Sequence, residues 1–171
     1  YACDLDESRL AHVKEIYPTI EATVNFEVLI NDPEVHAIVV ATPVHLHHEI
    51  AKMSLLAGKH ILVEKPMASS VSQCAELLDL ADKLGLTLMV GHTFIYSAPV
   101  RKIKEIITSG ELGELLYVSS KRLNLGLFQR DINVAWDLAP HDISIICYIL
   151  DNQPISVNCQ GRAHIFPGIE D

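Results

Sequence analysis

The sequence lacks several features that would point to whole classes of protein. No apolar run approaches the roughly 20 residues that a membrane-spanning helix needs, and the first residues do not resemble a signal peptide. The net charge is −9 and the 13 lysines and arginines form no dense patch, so we expect neither a membrane nor a nucleic acid as partner. The four cysteines form no C-x-x-C motif, which is typical of thiols in a reducing compartment. We therefore predict a cytoplasmic protein.

The first half of the sequence alternates between strand and helix patterns. With 49% hydrophobic and 20% charged residues over 171 positions, the chain can bury a core. Short buried-strand patterns at 37–41, 60–64 and 86–91 alternate with helical patterns at 44–57 and 70–84. Such an alternation is typical of an α/β fold with a doubly wound parallel sheet.

The pattern changes after residue 94. The predicted elements there are an amphipathic helix at 98–109, a long alternating strand at 115–125, a helix at 136–150 and a strand at 155–165. We therefore predict two domains, a nucleotide-type α/β domain over residues 1–94 and an α+β domain over residues 95–171. Both sheets are expected to be incomplete.

The strongest local signal is the segment HILVEKP, residues 60–66. Pro66 cannot donate to a sheet ladder, so the strand ends there and Glu64 and Lys65 lie at its carboxyl end. Ligands of open α/β sheets bind at that edge. Lys65 is either a solvated charge that ends the strand or a cation held against a substrate, and the pattern alone leaves both interpretations open.

A second candidate pair lies in the segment WDLAPHD. Asp137 and His141 are four residues apart, so on a helix they share one face. A carboxylate beside an imidazole fixes the tautomer and favours the protonated form, which suits a general base. The alternative is that Asp137 only caps the helix, with Pro140 in the first turn.

Other polar residues near the amino terminus allow two interpretations. Asp4 follows the first short strand, where an acidic residue can accept from both ribose hydroxyls, or it complements the helix start together with Asp6. His45, His47 and His48 lie close in sequence, but on a helix they point to different faces and nothing completes a tetrahedral ligand set. We therefore predict no metal site.

Taken in order, the motifs resemble those of the glucose–fructose oxidoreductase / inositol dehydrogenase / MocA (Gfo/Idh/MocA) family. They are Asp4, ATPVHLH at 41–47, AGKHILVEKPMA at 57–68, RKIKEIITSGELGE at 101–114 and DLAPHD at 137–142. Members of this family are NAD(P)-dependent oxidoreductases. They carry a Rossmann domain followed by an α+β domain whose open sheet supports substrate binding and oligomerisation.

The resemblance implies a role for individual residues. Lys65 would orient the substrate, and Asp137 and His141 would be the catalytic pair, with His141 accepting the proton. The cofactor-side residues would be Asp4, Thr42, Pro43, His47, Glu64 and Lys65, and Asp4 would favour NAD over NADP. We expect Thr42 to be the N-cap of the helix that follows, with Pro43 at its first position. Sugar or phosphate contacts are expected from His92 and from the loop over 122–130 and its neighbours, through Asn124, Arg130 and Asp131.

The family's first strand, its G-x-G-x-x-G turn and first helix, and the end of its C-terminal domain are absent from the sequence. We therefore expect a fragment with a gap between residues 1–3 and 37–41. The complete enzyme would act on a secondary alcohol or ketone of a sugar, cyclitol or nucleotide sugar, as a homo-oligomer. The alternative is a regulatory protein of the same fold that binds a dinucleotide or sugar without turnover.

Overall fold

The computed structural model describes residues 1–123, 128, 130 and 132–171. The chain divides into two compact units, the first made of residues 1–63 and 70–89 and the second of residues 64–69 and 90–171. The predicted boundary between residues 94 and 95 stays a prediction.

The first unit follows the predicted alternation of strands and helices. Its elements are β1 (Ala2–Cys3), α1 (Glu7–Ile16), β2 (Ala22–Thr23), α2 (Phe26–Asn31), β3 (Ala37–Val40), α3 (Val44–Leu56), β4 (His60–Val63), α4 (Val71–Leu84) and most of β5 (Leu88–Val90). β3 and β4 pair in parallel, with Ala37 opposite His60 and Val40 opposite Val63. The predicted α/β class with parallel strands is confirmed. The strands form two sheets, β1–β2 and β3–β4–β5, and do not join into one sheet within the described residues.

Buried apolar side chains stabilise the first unit, and capping residues set where its helices begin. Leu55 of α3, Val63 of β4 and Leu77 of α4 are each 0% exposed. At full burial, each such side chain contributes about 1.5–3 kcal/mol. Ser70 caps α4 by accepting from the Gln73 amide. In one detail the prediction was wrong: the N-cap of α3 is Pro43, and the Thr42 side chain makes no capping bond, so α3 starts at Val44.

The second unit contains a 3-10 helix (Thr93–Tyr96), α5 (Ala98–Ser109) and α6 (Val134–Leu150). α5 has the predicted bounds, and α6 begins two residues earlier than predicted because Asn133 caps it through the Trp136 amide. Pro140 lies inside α6. Pro140 stands in the second turn of the helix, where its missing N–H removes one intrahelical bond.

Neither of the two strands predicted for this unit forms within the residues that the structure describes. Over residues 115–123 and 155–165 the described chain has no strand, and the nearest feature is a single bridge between Phe166 and Ile169. Alternation describes two faces of a strand, but the strand itself requires backbone partners, and no described segment supplies them. The apolar faces of α5 and α6 line an open cavity of about 340 Å³ instead. No helix of the described chain has the length and apolar character of a membrane span.

Candidate active site

Lys65 follows β4 and reaches α6. Its Nζ lies 2.9 Å from Oδ1 of Asp137 and 3.0 Å from the carbonyl oxygen of the same residue. Both residues belong to the second unit, and their side chains are 20% and 23% exposed. The Lys65–Pro66 peptide bond is cis. Lys65 is therefore held in an ion pair, and the interpretation of it as a freely solvated charge was wrong.

Hydrogen bonds fix the start of α6 against the segment over 64–69. The indole Nε1 of Trp136 donates to the Ala68 carbonyl at 3.0 Å, and Ala68 is fully buried. Asn133, not Asp137, caps the helix, so the capping alternative for Asp137 does not hold. The Asp137 carboxylate is thereby free to face Lys65 from the first turn of α6.

The predicted contact between Asp137 and His141 is absent. Nδ1 of His141 is buried and has no hydrogen-bond partner among the described residues, and the ring meets the Phe94 ring edge-on at 4.7 Å. Asp137 turns to Lys65 because an ammonium attracts a carboxylate more strongly than a neutral imidazole does. The prediction that Asp137 charges the imidazole was therefore wrong.

The surroundings of His141 favour its neutral form. Burial lowers the pKa of His141, the nearby charges of Lys65, Arg122 and His92 lower it further, and the Asp142 carboxylate opposes them. A neutral imidazole can accept a proton directly. His141 therefore remains suited to general-base chemistry, for a different reason from the predicted one.

Asp142, Ser120 and Arg122 complete these surroundings. Sequence reasoning gave no role to Asp142 or Ser120, and it placed Arg122 only in the loop expected to contact sugar or phosphate. The Asp142 carboxylate accepts from Arg122 Nε and, at 2.7 Å, from the Ser120 hydroxyl. Although burial opposes ionisation, these hydrogen bonds lower the pKa of Asp142. The position of Asp142 directly after His141 was the one sequence signal that it belongs to the site. The partners of Asp142 could not be predicted in this way, because they lie about twenty residues away in sequence.

His92 and Glu64 lie where neighbouring strands end. Nδ1 of His92 is buried without a partner among the described residues, and burial lowers the pKa of the ring. Gly91 precedes it, and a Cβ there would lie 3.1 Å from Oε2 of Glu64. Glycine at this position therefore lets the Glu64 carboxylate approach the backbone.

In the first unit, the predicted cofactor-side residues have partners within the protein. His47 is 1% exposed and its Nε2 lies 2.7 Å from the Thr42 carbonyl oxygen, so it fixes the turn after β3 and cannot present its ring to a ligand. Asp4 accepts from the Asp6 amide at 2.9 Å and faces Arg9 at 3.5 Å. The expectation that His47 serves as a cofactor-side residue is not supported, because its ring is turned into the protein.

The remaining predicted residues divide between described and undescribed positions. The Arg130 guanidinium lies 5.1 Å from the centre of the Phe166 ring. Asn124 and Asp131 lie outside the described residues. Within the part of the chain that the structure describes, no group of three or more His, Cys, Asp or Glu side chains could hold a metal ion.

A parallel sheet with crossover helices, followed by a mainly helical unit, is a Rossmann-type architecture. Residues 2–92 match the GFO/IDH/MocA model, an oxidoreductase family with an NAD-binding Rossmann fold, and residues 100–171 match the GFO/IDH/MocA C-terminal domain. The chain belongs to this family.

Two curated relatives and one solved structure illustrate the likeness. The chain is 29% identical to the 1-carboxy-3-chloro-3,4-dihydroxycyclohexa-1,5-diene dehydrogenase of Comamonas testosteroni, over 92% of this chain and 42% of the relative. It is 29% identical to the NADP-dependent scyllo-inositol 2-dehydrogenase IolW of Bacillus subtilis, over 75% of this chain and 35% of the relative. The oxidoreductase YvaA of Bacillus subtilis superimposes with a TM-score of 0.75 at 30% identity, over 83% of this chain and 43% of that structure. The chain thus spans less than half the length of each.

Proposed function

We propose that this chain forms part of an oxidoreductase that moves a hydride between a nicotinamide cofactor and a secondary alcohol or ketone of a ring compound. The observation that carries the proposal is the half-buried ion pair of Lys65 and Asp137, near enough to His141 for the Lys65 charge to lower the pKa of its imidazole. A cation and a neutral base at one place are the two groups that alcohol oxidation requires of the protein.

Each residue of the proposed site has one task. The neutral imidazole of His141 accepts the proton of the substrate hydroxyl. The Lys65 ammonium donates to the same oxygen and stabilises the negative charge that develops there. Asp137 is a positioning residue, because its contact at 2.9 Å holds the ammonium in place.

Individual residues of the chain could each contact part of a nicotinamide dinucleotide. When bound, it would supply the hydride acceptor or donor. Glu64 is exposed at the end of β4, and the absence of a side chain at Gly91 leaves room for its carboxylate. Asp4 is partly exposed at the end of β1 and can accept from a ribose, which favours NAD. Arg9, 3.5 Å from Asp4, is a cation that could face a 2′-phosphate and moderate this preference.

The substrate class follows from the relatives by analogy. Their names describe one carboxylated cyclic diol and one inositol, and both are rings that carry neighbouring hydroxyl groups. We extend this to a sugar, cyclitol or nucleotide sugar as substrate.

The predicted homo-oligomer and cytoplasmic location stay predictions. A regulatory protein without turnover is the second candidate, although it would not need a neutral base beside a cation.

The test is the absorbance of NADH or NADPH with the full-length protein that carries this sequence, against a panel of sugars, cyclitols and UDP-sugars. Lys65→Met and His141→Gln should each lower kcat by about 100-fold or more while dinucleotide binding persists. Lys102→Met is the matched control, since Lys102 is 67% exposed and its one ionic partner among the described residues is Glu105. Dinucleotide binding without turnover of any compound would favour the regulatory alternative, and full activity of both variants would refute the assigned roles.

A further inference from the structure

Arg122 and His141 both contact the ring of Phe94. The Arg122 guanidinium carbon lies 5.4 Å from the centre of the Phe94 ring, and the same ring meets His141 edge-on at 4.7 Å. Phe94 is therefore in contact with both a cation and the proposed base. Burial first, and the charges of Lys65 and Arg122 after it, lower the pKa of His141.

Asp142 fixes the orientation of this guanidinium. One of its oxygens accepts from Arg122 Nε and the other from Ser120, so both carboxylate oxygens are engaged. The Arg122 side chain is still 33% exposed, and only its Nε has a hydrogen-bond partner among the described residues. A guanidinium has five N–H donors, so four remain on the two terminal nitrogens.

The terminal nitrogens of an anchored arginine form a planar fork that matches the two oxygens of a carboxylate or phosphate. Overall attraction does not explain anion binding here, because the chain carries a net charge of −9. A fixed local cation is required for it. In the free protein the Asp142 carboxylate contacts Arg122 only at Nε among the described residues, so most of the fork remains available to a ligand anion.

We propose that Arg122 is a specificity-determining residue that binds an anionic group of the substrate, so the site takes ring alcohols bearing a carboxylate or a phosphate. This inference rests on the proposed function and deepens it. Phe94 supports the guanidinium from one side, and Asp142 sets its direction. The substrate's charged group would then neutralise Arg122 in the vicinity of His141.

The first experiment measures binding by calorimetry on the full-length protein loaded with dinucleotide. The probes are glucuronate, glucose 6-phosphate and uncharged glucose, so that carboxylate and phosphate are tested separately. Wild-type protein should bind one of the two anions at least about tenfold more tightly than glucose, the usual size of a charge-assisted contact. Arg122→Gln should abolish this preference, and Arg122→Lys should restore part of it.

Arg101→Gln is the matched control. Arg101 also lies over an aromatic ring, 5.9 Å from the centre of Tyr96, but has no carboxylate partner among the described residues. It should keep the wild-type preference. Equal binding of glucose and both anions, or no binding of either anion, would overturn the inference. The same loss of anion preference in Arg101→Gln as in Arg122→Gln would also overturn it.

A second readout does not depend on turnover. The imidazole titration of His141, followed by NMR, should shift to higher pH when the preferred anion binds, because the anion cancels the field of Arg122. In Arg122→Gln the midpoint should already be higher and should not respond to the anion. An anion response that persists in this variant would overturn the assignment to Arg122. If the wild type shows no dehydrogenase activity but its His141 titration responds to the anion, only the proposed function is refuted. The two results are separable because the anion response is measured without turnover.

Discussion

The two units of the chain are stabilised by different kinds of contact. In the first, apolar side chains from a sheet and two helices are fully buried, among them Leu55, Val63 and Leu77. In the second, the apolar faces of α5 and α6 line an open cavity, and the well-defined contacts are polar pairs such as Lys65 with Asp137. A closed apolar core provides stability, whereas half-buried polar pairs provide chemistry at a cost in desolvation. The candidate catalytic groups all lie in the second unit.

The largest effect expected from this contrast is at two adjacent leucines of α3. Leu55 is 0% exposed and Leu56 is 62% exposed. Leu55→Ala should lower the free energy of unfolding by about 2–5 kcal/mol, because it removes buried methylene groups and leaves a cavity. Leu56→Ala should change it by at most about 0.5 kcal/mol. Denaturant unfolding followed by circular dichroism measures both, and similar losses would show that the α3 face is assigned wrongly.

The same contrast explains which elements the sequence predicted. Strand β4 and helix α4 are encoded locally, by an apolar run that Pro66 ends and by a helix between Ser70 and Gly85. The alternation over 115–125 is equally regular, yet a strand depends on distant partners that local pattern cannot reveal. Sequence reasoning therefore succeeded where the signal was contained within about fifteen residues and was wrong where pairing was non-local.

The site shows the same limit at the level of single contacts. Lys65 and Asp137 were both assigned to the catalytic site by the family resemblance, and the structure brings them into contact across 72 residues. The partner of Asp137 was not predictable, because Lys65 and His141 compete for one carboxylate and only their positions decide between them. Ser120 was not assigned, and Arg122 was expected only as part of a loop that contacts sugar or phosphate, because nothing near these residues in sequence marks them as partners of Asp142.

Trp136 tests how far polar contacts stabilise the second unit. Trp136→Phe keeps most of the apolar ring but removes the donor to the carbonyl of buried Ala68. We expect a loss of about 1–3 kcal/mol in the free energy of unfolding, the cost of an unsatisfied buried acceptor. Tyr96→Phe, at a residue that is 52% exposed, should have little effect. An unchanged stability of Trp136→Phe would mean that water replaces the lost donor.

His141 should make the stability of the protein depend on pH. Its pKa is lowered in the folded protein, by burial first and by neighbouring cations second, so the unfolded chain takes up the proton at higher pH. The free energy of unfolding should therefore fall as the pH drops through about 6.5, until the folded pKa is reached. His141→Gln should show a smaller fall than wild type between about pH 7.5 and pH 5.5. His12→Gln, at a side chain that is 71% exposed, should leave the wild-type fall unchanged. Equal falls in all three proteins would contradict the burial of His141.

The smallest effect is expected at Ile155, and it decides whether the predicted strand is real. In this structure Ile155 has no burial at all, and Val157 is 82% exposed. Ile155→Ala should change the free energy of unfolding by no more than about 0.5 kcal/mol, because it removes no buried surface. Ile149→Ala in α6, where the side chain is 7% exposed, is the comparison and should lose about 2–5 kcal/mol. A loss at Ile155 as large as that at Ile149 would place this side chain in a core. The alternation over 155–165 would then mark a strand whose partner lies outside the described residues, and the contrast between the two units would disappear.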